Sequence, residues 1–390
     1  MHVNIKPEVQ ALSDFIITIR RDIHKHPELA FEEHRTAQLV ADRLNSLGIS
    51  VETSVGRTGV VGTLTGGNQG STIALRADMD ALPIQETSDI PYKSNNDGVM
   101  HACGHDGHTA MLLGAAKILA DKKNELKGTV KFIFQPAEEG LGGARFMIED
   151  GVLDGVDEIY GVHLWNYQKS GTIGIKSGPI MAAADGFELT IYGKGGHGAA
   201  PQGTQDAVVI AAHLIQVFQT IVSRNTNPIE STVVTVGQIN GGYNFNIIAD
   251  KVVLSGTTRA YTEVNRQLVK SRMNDIIAGT ERTFNCRIEL DYMDGYPPTI
   301  NDNSCAERVL ISAKKIVGDG AGEPYLSMGG EDFSYFLQQR PGAFFFVGSA
   351  PQDREPLSVP HHCSHFDFDE DALLVGASVF IQVIEDRTAN

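Results

Sequence analysis

Apolar residues at Leu12, Phe15, Ile16, Ile19 and Ile23 recur in steps of three and four. That spacing predicts a helix over residues 8–23 with one buried face. Pro27 breaks it, and a second helix is expected over 31–47, stopped by Gly48. The pattern then changes to short apolar runs. Residues 60–64 and 72–76, parted by Gly66-Gly67-Asn68-Gln69-Gly70, read as strands, and so do 129–135 and 158–164. Between them, 109–121 is rich in Ala and Leu with little charge before Lys117, the pattern of a largely buried helix. From residue 184 a second rhythm begins. Strands are expected at 187–192, 231–239, 252–259 and 286–292, with helices at 206–223 and 263–283. The order β-α-β-β-α-β is the split βαβ pattern of a ferredoxin-like α+β domain. Helices at 303–317 and 373–385 and a strand at 342–348 complete an α/β chain.

Length changes this picture in one way: 390 residues are too many for one ordinary domain. The second rhythm therefore reads as an inserted domain, 183–294, within a larger one made of 1–182 and 295–390. Tyr296-Pro297-Pro298 is the returning hinge. A formal charge of −16 argues against nucleic acid or an anionic membrane as partner. No apolar run approaches a membrane span, and the first nine residues lack the pattern of a signal peptide. Cys103, Cys286, Cys305 and Cys363 show no Cys-x-x-Cys spacing, which suits a reducing cytoplasm.

The candidate chemistry sits at expected strand ends and in loops. Met100-His101-Ala102-Cys103-Gly104-His105-Asp106-Gly107-His108 packs a thiol, three imidazoles and a carboxylate into nine residues. Such side chains are metal ligands before anything else. Asp78 and Asp80 follow one strand, and Glu138 and Glu139 follow another. His163 lies near the end of a third, and Pro360-His361-His362-Cys363-Ser364-His365-Phe366-Asp367 is a second dense cluster. Ends of strands are where open α/β sheets keep their sites. His24 and His26 read instead as flanking the cleft or capping the first helix. The collected ligand set is Cys103, His105, Glu139, His163 and one of the histidines at 361–365. These exceed the four of a structural zinc and fit two divalent ions sharing the Cys103 thiolate. Glu138, beside a ligand carboxylate, is placed to act as general base in hydrolysis of an amide.

Together Arg21-Asp22-Ile23-His24-Lys25-His26-Pro27-Glu28, Asp78-Met79-Asp80-Ala81-Leu82-Pro83, the 100–108 stretch, Pro136-Ala137-Glu138-Glu139-Gly140, Gly196-His197-Gly198 and Gly329-Gly330-Glu331-Asp332-Phe333 resemble the M20 peptidases. They are most similar to the amidohydrolase branch that holds hippurate hydrolase and the auxin-conjugate hydrolases. The resemblance spans nearly the whole chain. It implies a zinc-exopeptidase-like catalytic domain with a mixed central sheet flanked by helices, and an inserted lid that also mediates dimerisation. It implies a binuclear site with Cys103, His105, Glu139, His163 and His362 as ligands. Phe366-Asp367 stands at the family's spacing after His362, which selects that histidine. The expected metals are Mn²⁺, Zn²⁺, Ni²⁺ or Co²⁺. Glu138 is implied as general base and His197 as the lid histidine that reaches the reacting carbonyl. Asn246 and Arg259 are implied to grip the substrate carboxylate, and Asp78 and Asp80 to support ligands from behind. The expected substrate is an N-acyl-amino acid or short peptide and the expected assembly a homodimer. A dipeptidase or aminopeptidase of the same family, a thiol hydrolase using Cys103, and a non-catalytic metal-binding protein are the competing readings.

Overall fold

The apolar face expected at 8–23 is carried by two helices rather than one, α1 (Pro7–Gln10) and α2 (Ser13–Lys25). A turn at Leu12 parts them, and no Gly or Pro marks it in the sequence. Ile16, Ile19 and Ile23 are buried as the spacing requires. His26 closes α2, its amide bonding to the Ile23 carbonyl and its ring Nδ1 to the Asp22 carbonyl. Helix α3 (His34–Ser46) starts later than expected because Glu28 caps it. The Glu28 carboxylate accepts the Arg35 and Thr36 amides at 2.7 and 2.8 Å, and an anion there also favours the helix dipole.

The computed structural model describes residues 3–388. The chain forms two compact units, one of Met1–Ile180, Ile300–Leu326 and Asp332–Asn390, the other of Met181–Thr299 and Ser327–Glu331. In the first unit α3 leads to strands β1 (Ser50–Val55), β2 (Gly59–Thr65) and β3 (Asn68–Asp78), then α4 (His105–Asp121), β4 (Lys127–Gln135), α5 (Gly143–Glu149) and β5 (Glu158–Lys169). With later strands they make one eight-stranded mixed sheet. Strand β1 is mostly exposed and polar, so its sequence carried no apolar run. Strands β4, β3, β5 and Gly342–Ala350 are successive parallel neighbours. Their C-terminal ends therefore open on one edge, with Asp78 paired in register to Gln135. Helix α4 is buried on nearly every side, between α2 and the C-terminal helix Asp371–Thr388.

An ion network pins these helices. Arg20 of α2 is fully buried and donates to Asp106 at 2.9 Å, Asp367 at 2.9 Å and Glu370 at 3.1 Å. His24 bonds to the same Asp106 oxygen at 2.8 Å. Burial opposes the charge on Asp106, yet the Arg20 guanidinium and His24 hold its carboxyl far below the usual range. Removing Arg20 strands the Asp106 carboxylate in a dry interior. Arg20→Ala is expected to cost about 3–5 kcal/mol in chemical denaturation, and a loss under 1 kcal/mol would rule out this account.

In the second unit Ala183–Tyr192, Thr232–Gly241, Lys251–Ala260 and Arg287–Tyr296 form an antiparallel sheet. Numbered within the unit, the order across it is 2-3-1-4, that of a split βαβ domain. Helices Ala207–Thr220 and Glu263–Phe284 supply its core with the sheet. One expectation needs correction. The stretch Ala207–Asn225 does reach the length and apolarity of a membrane span, 19 residues with mean hydropathy 1.5. His213, Gln216 and Gln219 interrupt it, so no unbroken apolar run is visible. Ala207, Ile210, Ala211, Leu214, Phe218 and Ile221 are buried in this unit's own core, the behaviour of an amphipathic core helix.

Candidate metal centre

Four chain segments deliver side chains to one edge of the sheet. Gly104 adopts a left-handed conformation (φ 96°) directly before α4, which turns Cys103 and His105 inward. Strand β4 ends at Gln135, and Ala137 takes φ 53° before Glu138 and Glu139. His163 lies on β5. His362 has φ 64°, and its amide donates to the Ala102 carbonyl at 2.8 Å, tying the C-terminal loop to the Cys103 loop. Ser364 ties the same loop to Thr87, whose amide donates to its carbonyl at 2.7 Å. Left-handed backbone at Ala137 and His362 costs on the order of 1 kcal/mol each, a strain typical of functional segments.

The Cys103 Sγ stands 3.4 Å from His163 Nε2 and 3.3 Å from His362 Nε2, across 259 positions of sequence in the second case. His362 Nε2 is 3.2 Å from Glu139 Oε1, and His105 Nε2 is 4.0 Å from it. Two ligands on one tetrahedral ion stand about 3.5 Å apart, so these separations suit a shared metal shell. The ring orientations agree. His105 donates through Nδ1 to the Asp80 carbonyl at 2.9 Å, with the Asp80 carboxylate 3.2 Å away. His163 donates through Nδ1 to the Leu164 carbonyl. Each ring thereby presents an Nε2 lone pair to the centre, the arrangement of metal-binding histidines. His105 Nε2 and Glu139 Oε1 are buried with no hydrogen-bond partner, which a cation would satisfy. Glu138 is buried and its carboxylate lies within 4.8 Å of the His105 and Glu139 ligand atoms.

The electrostatics point the same way. Burial resists charging His105, but without a metal the Asp78, Asp80 and Glu139 carboxylates raise its pKa to about 10, an anionic surround that a bound cation would neutralise in place of the Nε2 proton. Burial, with Glu139 and Glu138 beside it, pushes the Cys103 thiol well above its ordinary range. A nucleophilic cysteine needs the opposite shift, whereas a divalent cation would hold the thiolate.

Around this centre the other candidates separate. Asp80 accepts the Glu139 amide at 2.9 Å while orienting His105. Asp78 bonds to His108 Nδ1 at 2.6 Å and to Arg76 at 2.8 Å. His108 Nε2 accepts the Leu164 amide at 2.8 Å, so both its nitrogens are committed. His361 accepts the Asn166 amide and lies among Trp165, Tyr167 and Phe366. Burial, with His362 adjacent, lowers its pKa to about 3. His365 is exposed, away from the ligand groups. Arg76 was not anticipated. It is fully buried and joins Asp78 to Gln135 and Asp332. Its only sequence signal is an arginine inside an apolar strand.

In the second unit His197 lies on a short strand paired with Ile247–Ile248, and Asn246 precedes that strand. The Ala199 amide donates to His197 Nδ1 at 3.0 Å, so the neutral ring carries its proton on Nε2. Arg259 is half-buried, its Nη1 donating to the Thr258 carbonyl at 2.8 Å and to the Thr257 hydroxyl. Among the described residues it forms no ion pair, unlike an ordinary strand-surface arginine.

The sequence profile described as peptidase family M20/M25/M40 matches residues 74–386. An N-acetyl-L-cysteine deacetylase of Bacillus subtilis is 42% identical over 375 residues, 96% of this chain and 88% of its own. A thermostable carboxypeptidase of Saccharolobus solfataricus is 43% identical over 96% of this chain and 95% of its own. The crystal structure of a dinuclear-metal-binding M20 peptidase from Bacillus subtilis superposes with a TM-score of 0.86 at 35% identity, covering 97% of this chain and 99% of that one.

Proposed function

The chain belongs to peptidase family M20/M25/M40, and we propose that within it this enzyme releases amino acids from N-acyl-amino acids of the hippurate or N-acetyl type. Its class is that of a metal-dependent amide hydrolase. Cys103, His105, Glu139, His163 and His362 would hold two divalent ions, with Cys103 shared. When bound, such a pair activates water and polarises the scissile carbonyl. One observation carries the reading: the Cys103 sulfur lies within 3.4 Å of Nε2 on both His163 and His362, beside the buried His105 Nε2 and Glu139 Oε1, which form no hydrogen bond.

Glu138 takes the proton of the attacking water and returns it to the leaving amine. Asp80 keeps His105 and the Glu139 backbone aligned through its two carboxylate oxygens. His197 offers its Nε2 proton to the developing oxyanion, and Asn246 and Arg259 bind the substrate carboxylate. The second unit acts as lid and as the contact of a homodimer. Its sheet ends in the strand Thr232–Gly241, whose outer edge is unpaired among the described residues, a template for a second copy. Four free cysteines support a cytoplasmic home.

The carboxypeptidase relative keeps a peptide-cleaving reading in play. Chelation should abolish activity, and Mn²⁺, Zn²⁺, Co²⁺ or Ni²⁺ should restore it. On a panel of N-acetyl-amino acids, N-benzoyl-amino acids and dipeptides, kcat/KM should favour the acyl substrates by at least about tenfold, or about 1.4 kcal/mol. A preference for dipeptides would reverse the substrate reading. Full activity after complete metal removal would end the mechanism.

A further inference from the structure

We propose that Glu33 is a positioning residue for the general base: its buried carboxylate holds the Ala137 amide and so sets the direction of Glu138. The proposal rests on Glu138 being that base. Glu33 stands just before α3, fully buried. One carboxylate oxygen accepts the Ala137 amide at 2.9 Å, and the other accepts the Thr58 hydroxyl. Ala137 has φ 53°, a conformation its Cβ disfavours, so the hydrogen bond holds a backbone that would otherwise relax. The far side of the loop is closed by Gly143, whose amide donates to the Ala137 carbonyl at 3.0 Å. A Cβ at Gly143 would stand 1.8 Å from the Pro136 oxygen. Two residues on, Asp80 grips the Glu139 amide at 2.9 Å. Two buried carboxylates thus clamp the amides on either side of Glu138, and the base sits between fixed points.

Packing alone does not account for Glu33. Among the described residues it forms no ion pair, and a buried acid without a cation destabilises the fold. Burial raises its pKa to about 7, against the opposing hydrogen bond from Thr58. Groups held in such an environment cluster at functional sites.

The test is Glu33→Ala in the metal-loaded enzyme, with N-acetyl-L-leucine as probe. We expect kcat to fall by about 10- to 100-fold, as for a misplaced reacting group, with KM and metal content unchanged. Glu33→Gln keeps the acceptor for Ala137 and can donate to Thr58, so its kcat should stay near wild type. Ala137→Gly removes the backbone penalty, and adding it to Glu33→Ala should recover about fivefold. A kcat within twofold of wild type for Glu33→Ala, a loss that follows metal loss, an equal fall in Glu33→Gln, or no recovery in the double variant each overturns the proposal. If Glu33→Ala does not fold, Glu33→Asp, which retains the carboxyl group but withdraws it by a methylene, is judged by the same kcat and metal criteria. Glu138→Ala is assayed in parallel. If it keeps turnover, the base assignment fails; if it loses turnover while Glu33→Ala does not, only the positioning role fails.

Discussion

Glu138→Gln should retain its metal and lose turnover, with kcat falling by about 10³-fold. The carboxylate is buried beside the His105 and Glu139 ligand atoms. Glutamine occupies nearly the same space but cannot accept and return a proton at neutral pH. Steady-state kinetics should be paired with metal analysis of the purified variant. Loss of turnover at wild-type metal content supports the assignment. A tenfold effect or less with metal bound would remove Glu138 from the chemistry, and a proportional loss of metal would make it a ligand instead.

The second large effect is expected at Cys103. Its sulfur lies within 3.4 Å of histidine nitrogens from two different segments. If it is the ligand shared by two ions, Cys103→Ala disrupts both shells at once. We expect metal content to fall from two ions per chain to one or fewer, and turnover to fall by on the order of 100-fold or more, since even changes behind a ligand cost 10- to 100-fold. The readout is metal stoichiometry after dialysis, measured beside activity. Two tightly bound ions in Cys103→Ala would exclude the bridging role. His361→Ala is a natural control, because that ring accepts the Asn166 amide.

Local patterns carried much of the molecule. The alternation and apolar runs placed β2, β3, β4 and β5, and the Ala/Leu-rich stretch placed α4, because these elements lie in the interior where burial dictates residue type. Strand β1 was not visible because it lies at the sheet edge, and its residues are largely exposed and need not be apolar. The break at Leu12 has no local marker. The C-terminal histidines show the same boundary. Residue types alone left three candidates, and the family spacing pointed to His362. Their different surroundings exist only in three dimensions: His362 beside Cys103, His361 held by the Asn166 amide, His365 exposed.

Donor chemistry was therefore determined by the sequence itself. Thiol, imidazole and carboxylate groups were set at strand ends, at a helix start and in loops, because both element type and ligand type are local properties. Tertiary structure alone decided which of them converge. The parallel register of β3, β4 and β5 brings Asp78 level with Gln135 and opens three strand ends on one edge. The Ala102–His362 hydrogen bond then carries the last histidine across to the Cys103 loop. The supporting groups belong to the same class: Glu33 lies 104 residues from the amide it holds, and Arg20 lies 86 residues from Asp106. A glutamate at a helix start and an arginine on a helix face look like surface residues in sequence. Only folding, by removing water around them, turns their hydrogen bonds into fixed supports.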